Sequence, residues 1–337
     1  MAEESPARVK CQSITQIAIV VENLEQVAKN YWDILGIGPW AIYDWEAPLV
    51  YERKYHGQSV EPREKIALVQ VGNVELELVQ PIEGTSLYRD WLDEHGEGLH
   101  HIQFHVDDLD ETARILEAQG FTSLQSGKCG PKHATSAYNY FEIKPLRAIW
   151  EPVQLGAEPV GGEAVMYPSD TNGHSPILQC KGITQIAIVV EDLEQVAKNY
   201  WDILGIGPWA IYNWEAPLVY DRKYHGQSIE CREKIALVQV GNVELELVQP
   251  LDGTSLYRDW LDEHGEGLHH LQFQVDDLDE AARILEGEGF TSLQSGKCGP
   301  RHANSAYNYF EIKPLRAIWE PVQVGSEPVC TEPIMYP

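Results

Sequence analysis

Asp93–Asp108 reads DEHGEGLHHIQFHVDD, and Asp262–Asp277 reads DEHGEGLHHLQFQVDD. The two strings lie 169 residues apart, and a shift of 169 lays the whole chain on itself without a gap. ITQIAIVVENLEQVAKNYWDILGIGPWAIYDW (Ile14–Trp45) falls on Ile183–Trp214, and SGKCGPKHATSAYNYFEIKPLRAIWEPVQ (Ser126–Gln154) falls on Ser295–Gln323. Only Ser169–Leu178, SDTNGHSPIL, is left over. It is polar, with Gly and Pro, and reads as a linker. The period is far longer than that of solenoid repeats. The expected organisation is therefore two whole domains, 1–168 and 179–337, joined by 169–178. Where the copies differ, neither residue is essential to both: His105 becomes Gln274, and Pro62 becomes Cys231.

Within one unit, TQIAIVV is short, β-branched and apolar, and reads as a strand. LEQVAKNYWDILG has helical apolar spacing and stops at Gly36. KIALVQVG and VELELVQP are two more strands around the turn Gly72-Asn73. The pattern then recurs: the strand LHHIQFHV, the acidic-started helix DDLDETARILEAQG, and the strands SAYNYFEI and LRAIWEPV. Each unit is thus two βαβββ-like modules, an α+β design with mixed sheets.

Composition narrows the function. The 337 residues are 43% hydrophobic, enough to bury real cores. The net charge of −27 disfavours nucleic acid and anionic membrane surfaces, which require a basic face. No apolar run approaches the ~20 residues of a membrane span. The start, MAEESPARVK, lacks an apolar secretory core. Six cysteines without a C-x-x-C do not make a disulfide scaffold. The expectation is a cytoplasmic protein with free thiols and a small-molecule partner, as monomer or homodimer.

Strand side chains alternate faces. His101, Gln103 and His105 share one face, and His100 is expected on the other with Ile102, Phe104 and Val106. Ile17, Ile19 and Val21 oppose Gln16. Leu76 and Leu78 oppose Glu75, Glu77 and Val79. Glu151 stands between Trp150 and Pro152. Gln16, Glu77, His101 and Glu151 are therefore polar groups in otherwise apolar strands, repeated as Gln185, Glu246, His270 and Glu320. Carboxylates in such strands are costly unless neutralised, and a divalent cation would do so. Equally, a strand Glu can be a solvated outer-face residue and a His a hydrogen-bonded core residue. Spacing alone does not choose between these, because four separate strands supply the groups.

Paired modules with GEGLHHIQFHVDDLD after ELELVQP resemble the vicinal oxygen chelate superfamily. That superfamily includes glyoxalase I, methylmalonyl-CoA epimerase, extradiol dioxygenases and antibiotic-resistance proteins. The resemblance spans both units and implies U-shaped mixed sheets, each around a metal site. Carried over residue by residue, its four ligands fall on Gln16, Glu77, His101 and Glu151, and on Gln185, Glu246, His270 and Glu320. His101 is favoured over His100 because the second of the paired histidines is the ligand in the epimerase pattern. The implied cofactor is a divalent metal, zinc first, then nickel, cobalt, manganese or iron.

The implied chemistry is proton abstraction beside a carbonyl through a metal-stabilised enolate, an isomerase or lyase reaction with Glu151 and Glu320 as ligand and base. The pattern also breaks. Where the epimerase has its catalytic Glu, this chain has Lys65 and Lys234, either buried bases or surface lysines paired with Glu64. Val20 and Pro81 replace the glutathione-binding residues of glyoxalase I, and nothing supports a CoA thioester. The segment WAIYDWEAPLVYERKYHG (Trp40–Gly57) suggests an aromatic pocket wall for an apolar or aromatic substrate, with His56 and His225 as candidate acid/base groups. The rival readings are a non-catalytic sequestering protein, which would not need the ligand set, and an extradiol dioxygenase, which would need two His and one carboxylate. Cys129 and Cys298 in SGKCGP read as turn residues.

Overall fold

The computed structural model describes residues 4–329 and 332–336, so Cys330 and the chain's ends lie outside the description. The elements of the first unit are β1 (Ile14–Val20), α1 (Leu24–Leu35), β2 (Trp40–Trp45), β3 (Val50–Tyr55), β4 (Gln58–Ser59), β5 (Arg63–Val71), β6 (Val74–Glu83), α2 (Leu87–His95), β7 (Gly98–His105), α3 (Leu109–Ala118), β8 (Thr122–Cys129), β9 (Ser136–Ile143), β10 (Ala148–Gln154) and β11 (Val165–Tyr167). The second unit repeats them. α1 starts where Asn23 accepts from Gln26 N and stops where Gly36 takes φ 65°, a left-handed conformation that suits glycine.

Each unit forms one sheet in the order β11-β2-β5-β6-β1-β7-β10-β9-β8-β3-β4. The first module supplies β2-β5-β6-β1 and the second β7-β10-β9-β8. They join where β1 runs antiparallel to β7. This is the tandem U-shaped mixed sheet that the sequence implies. Two features depart from it. The aromatic segment Trp40–Gly57 forms β2 and most of a β3–β4 hairpin, and β3 crosses to pair with β8, Val50 opposite Cys129. Residues 46–49 therefore tie together strands from the two ends of the order, so the sheet curls towards closure. The second addition is α2, with Ser86 at its N-cap.

The two faces of the sheet have different cores. The helix face, with Ile17, Ile19, Leu76, Ile102 and Trp150, belongs to one apolar cluster that is continuous through both units. Tyr31 Oη donates to Leu315 O and Tyr200 Oη to Leu146 O, each at 2.8 Å, across the boundary. The linker does not hang free. Ile177 N and Leu178 N donate to Asp33 O and Ile34 O at the end of α1, while Cys11 N in the N-terminal arm donates to Leu204 O of the other unit. The units thus exchange equivalent arms. The concave face of each unit has its own separate cluster, in the first Val20, Ile66, Val79, Tyr88, Tyr138, Tyr140 and Val153. Among the described residues, five cysteines are free and no helix is long and apolar enough to cross a membrane.

Candidate metal centre

The four central strands β6, β1, β7 and β10 set the candidate centre on the concave face. Gln16 stands level with Glu75 on one side and Gln103 on the other. One step along, Ala18 lies level with Glu77 and His101. Glu151 is level with Gln103 across the β7–β10 pair. The strand register thus brings Gln16, Glu77, His101 and Glu151 of one unit together, each no more than 6% exposed. Gln185, Glu246, His270 and Glu320 repeat the arrangement in the second unit. Neither cluster borrows a residue from the other unit.

His101 Nε2 lies 3.4 Å from Glu77 Oε2 and 3.3 Å from Glu151 Oε2. The counterparts around His270 are 3.5 and 3.4 Å. These separations exceed those of ordinary N–H···O bonds, about 2.7–3.2 Å. Both His101 Nε2 and Glu77 Oε2 are buried without a hydrogen-bond partner, as are His270 Nε2 and Glu246 Oε2. Two donors each about 2.1 Å from one ion at a tetrahedral angle stand about 3.4 Å apart. The spacing of His101 from each carboxylate and the donor chemistry therefore suit a divalent cation. Among the described residues, no group of three or more His, Cys, Asp or Glu is arranged, as it stands, to hold a metal ion. Gln103 Nε2 donates to both Gln16 Oε1 and Glu151 Oε2 at 2.9 Å, engaging two of the oxygens that would face an ion.

Electrostatics point the same way. Burial pushes the Glu77 carboxyl up to about 7 against the pull of His101. Burial would lower the His101 imidazole, but the adjacent carboxylates of Glu151 and Glu77 prevail and raise it to about 9. Burial also raises the Glu75 and Glu246 carboxyls. Several carboxylates beside one imidazole in a buried space carry excess negative charge, which a cation removes.

The paired histidines have an answer in the backbone. Ile19 lies opposite Leu99 and Ala18 opposite His101, so His100 is an extra residue in β7, a bulge. The expectation that His100 points into the apolar face with Ile102 fails for this reason: a bulge breaks the alternation. His100 packs instead on Tyr88 and Trp91 of α2, with ring centroids 5.3 and 4.9 Å away. Its Nδ1 is 2.8 Å from His101 Nδ1. A cation on His101 Nε2 would leave the proton on His101 Nδ1 with His100 Nδ1 accepting it, which would fix ring and tautomer.

The structure excludes other candidates. Lys65 lies on the helix face of β5, alternating with the chamber-facing Glu64 and Ile66, and its Nζ donates to Glu25 on α1 at 2.5 Å. The expected Glu64 partner is instead buried against Arg53. Lys234 makes the matching bond to Glu194. Neither lysine faces the cluster. Lys65→Met with Lys234→Met should change turnover by less than about twofold and leave the melting temperature within a degree or two, measured by activity and calorimetry. His56 and His225 are exposed turn residues whose rings lie tilted against Tyr55 and Tyr224, away from the clusters. Cys129 ends β8 rather than sitting in a turn, and burial pushes its thiol up to about 12, which leaves it inert.

Several residues were missed. Glu75, which accepts from Gln16 Nε2 at 2.7 Å, and Gln103 lie on faces that alternation had already marked. Tyr88 carried no signal, because α2 has no counterpart in a plain βαβββ module, whereas Tyr140 lies on β9 in the aromatic run AYNYF (Ala137–Phe141). Tyr88 Oη donates to Tyr140 Oη at 2.6 Å, and burial, with the charge of the nearby Glu151, pushes the Tyr140 hydroxyl up. The Tyr140 ring stands 4.9 Å from that of His101. These tyrosines and α2 cover the cluster. A cavity of about 990 Å³ lies between the two units; it is lined by His100 and His269 but not by the clusters' carboxylates.

The comparisons with known proteins agree with this architecture. Residues 15–139 and 184–310 match the Glyoxalase/Bleomycin resistance protein/Dioxygenase superfamily. Mitochondrial methylmalonyl-CoA epimerase of Mus musculus is 28% identical over 120 residues, 35% of this chain and 60% of that protein. The Homo sapiens epimerase is 31% identical over 112 residues, 33% of this chain and 56% of that protein. The matches thus span a little over half of the curated relatives' length. Among solved structures, a mutant of 4-hydroxymandelate synthase from Streptomyces coelicolor superposes with a TM-score of 0.62 at 15% identity over 95% of both chains, a likeness of fold. The chain belongs to the Glyoxalase/Bleomycin resistance protein/Dioxygenase superfamily, as a tandem duplication of its fold.

Proposed function

We propose that each unit is a metal-dependent isomerase or lyase centre that removes a proton beside a carbonyl of a small aromatic or apolar molecule. The observation that carries this reading is the pair of unpartnered atoms, Glu77 Oε2 and His101 Nε2, beside Glu151 in a buried cluster that recurs in the second unit. Glu77, His101 and Glu151 would hold a divalent ion, with Gln16 as the fourth donor once Gln103 releases it. Bound there, the ion would polarise the substrate carbonyl and lower the cost of an enolate. Zinc suits the mixed N/O set best.

Glu151 is the proton carrier in this reading. It faces His101 and accepts from Gln103 Nε2 at 2.9 Å, which aims it. Tyr88 donates to Tyr140, so the two hydroxyls are ordered near that carboxylate. Burial holds both hydroxyls protonated. The aromatic walls, Tyr43, Trp45 and Tyr88 among them, favour an apolar or aromatic body. A dioxygenase centre of two His and one carboxylate is not what these strands present, since Gln16 stands where the first His would be.

The test is carbon-bound hydrogen exchange. Metal-loaded protein in heavy water should exchange the proton next to the carbonyl of an accepted 2-oxo or thioester substrate, followed by NMR. Glu151→Gln with Glu320→Gln should slow that exchange by roughly 10²–10⁴-fold, the usual worth of a positioned acid/base. Exchange that persists at the native rate in this variant would remove Glu151 from the role.

A further inference from the structure

Each concave chamber holds a second polar cluster that proton transfer at Glu151 does not use. Arg53 of β3 pairs with Glu64 of β5, and its Nη1 donates to Pro62 O at 2.9 Å. Tyr138 of β9 lies near the guanidinium, whose charge opposes the effect of burial on its hydroxyl. That hydroxyl sits over Gly127 of β8, where an added Cβ would come within 2.5 Å of the oxygen. Gln125, two residues along the same strand and so on the same face, accepts from Leu87 N at 2.9 Å through its Oε1.

Three donors remain: Arg53 Nε, Tyr138 Oη and Gln125 Nε2, each buried without a partner. The residues are 4%, 5% and 1% exposed. Arg222 Nε, Tyr307 Oη and Gln294 Nε2 are left in the same state in the second unit. An unmade buried donor costs its full desolvation, and the same three recurring in both units call for an acceptor. The Glu64 charge offsets that of Arg53, so the complement is an uncharged oxygen rather than a second carboxylate.

Position supplies the rest. Ring contacts run from His101 to Tyr140 at 4.9 Å and from Tyr140 to Tyr138 at 5.7 Å between centroids. The Tyr138 ring therefore lies within about 11 Å of the candidate cluster's histidine with the Tyr140 ring between them, and one aromatic ring laid over Tyr140 with a polar group at each end would span that distance. We propose that Arg53, Tyr138 and Gln125, with Arg222, Tyr307 and Gln294, form an oxygen-binding subsite, and that the substrate is a single-ring aromatic whose carbonyl end lies at the metal cluster and whose far end carries a hydroxyl or carbonyl oxygen. The subsite rests on the proposed function for the place of the carbonyl end only.

Two probes test it by isothermal titration of the zinc-loaded full chain: benzoylformate, and 4-hydroxybenzoylformate, which adds the far oxygen. The hydroxylated probe should bind at least about tenfold tighter, because a site built for a hydroxyl rejects the analogue that lacks one. Tyr138→Phe with Tyr307→Phe should bring the two affinities within about twofold without weakening benzoylformate, and circular dichroism should show both variant units folded. Glu77→Gln with Glu246→Gln should weaken both probes alike and keep their ratio. Equal affinities in the native chain would overturn the subsite, as would a preference that survives in the phenylalanine pair. Binding of neither probe would overturn the substrate class. A preserved preference in protein that takes up no metal would sustain the subsite while removing the metal reading.

Discussion

Purified protein should carry two equivalents of divalent metal per chain, and Glu77→Gln with Glu246→Gln should carry none. Elemental mass spectrometry measures both. Glu77 Oε2 is a buried acceptor with no hydrogen-bond partner, 3.4 Å from the equally unpartnered His101 Nε2. An amide at this position has the same shape but lacks the charge that balances a dication. Changing even an outer partner of a metal ligand costs about 10–100-fold in affinity, so loss of a charged ligand should cost at least roughly 10²-fold. Because each cluster is built within its own unit, Glu77→Gln alone should leave one equivalent. A native chain that takes up no zinc, nickel, cobalt, manganese or iron would sink the proposed chemistry and favour a sequestering role. Retention of both metals in the double variant would move the site elsewhere.

What the sequence made legible follows from regular geometry. Two-residue alternation places Gln16, Glu77, His101 and Glu151 in polar positions, and the superfamily resemblance names the same four. Four strands then become neighbours through β1–β6, β1–β7 and β7–β10 pairing. Alternation also places Lys65 on the wrong face of β5, so its exclusion was readable from Ile66 and the neighbouring apolar positions. His100 was not readable, because the bulge that turns it towards α2 is a register shift, and register depends on both strands. Nor was the crossing of β3 to β8. Aromatic residues of Trp40–Gly57 fit a strand and a pocket wall equally well, and only a partner strand from the other module decides between them. Glu64 illustrates the same limit. Its local neighbour Lys65 is the obvious ion-pair partner, yet strand alternation sends the two to opposite faces and Arg53 takes the place.

Metal-free protein should lose stability as pH rises from about 5 to 9, and metal loading should reverse that trend. The folded carboxyl of Glu77 is raised from 4.5 to about 7. The folded imidazole of His101 is raised from 6.5 to about 9. A group raised on folding holds its proton more tightly in the native state, so its stabilisation is complete below its unfolded value and is lost as pH climbs through its folded value. Loss therefore begins near the unfolded carboxyl value and ends near the folded imidazole value. A shift of about 2.5 pH units corresponds to about 3 kcal/mol. Since Glu77 and His101 face each other and titrate as a pair, about 3 kcal/mol from the first cluster is the expected size rather than twice that. At a few degrees per kcal/mol, this should lower the melting temperature of the metal-free chain by roughly 5–10 °C. A cation displaces those protons, so its binding releases them and tightens as pH rises. Calorimetric melting across this pH range, with and without zinc, should give slopes of opposite sign. Glu77→Gln with Glu246→Gln supplies the internal reference, because it removes the titrating carboxyls while the rest of the acidic surface stays the same. If native and variant metal-free proteins lose stability in parallel, the slope belongs to that surface and the buried clusters do not hold the protons assigned to them.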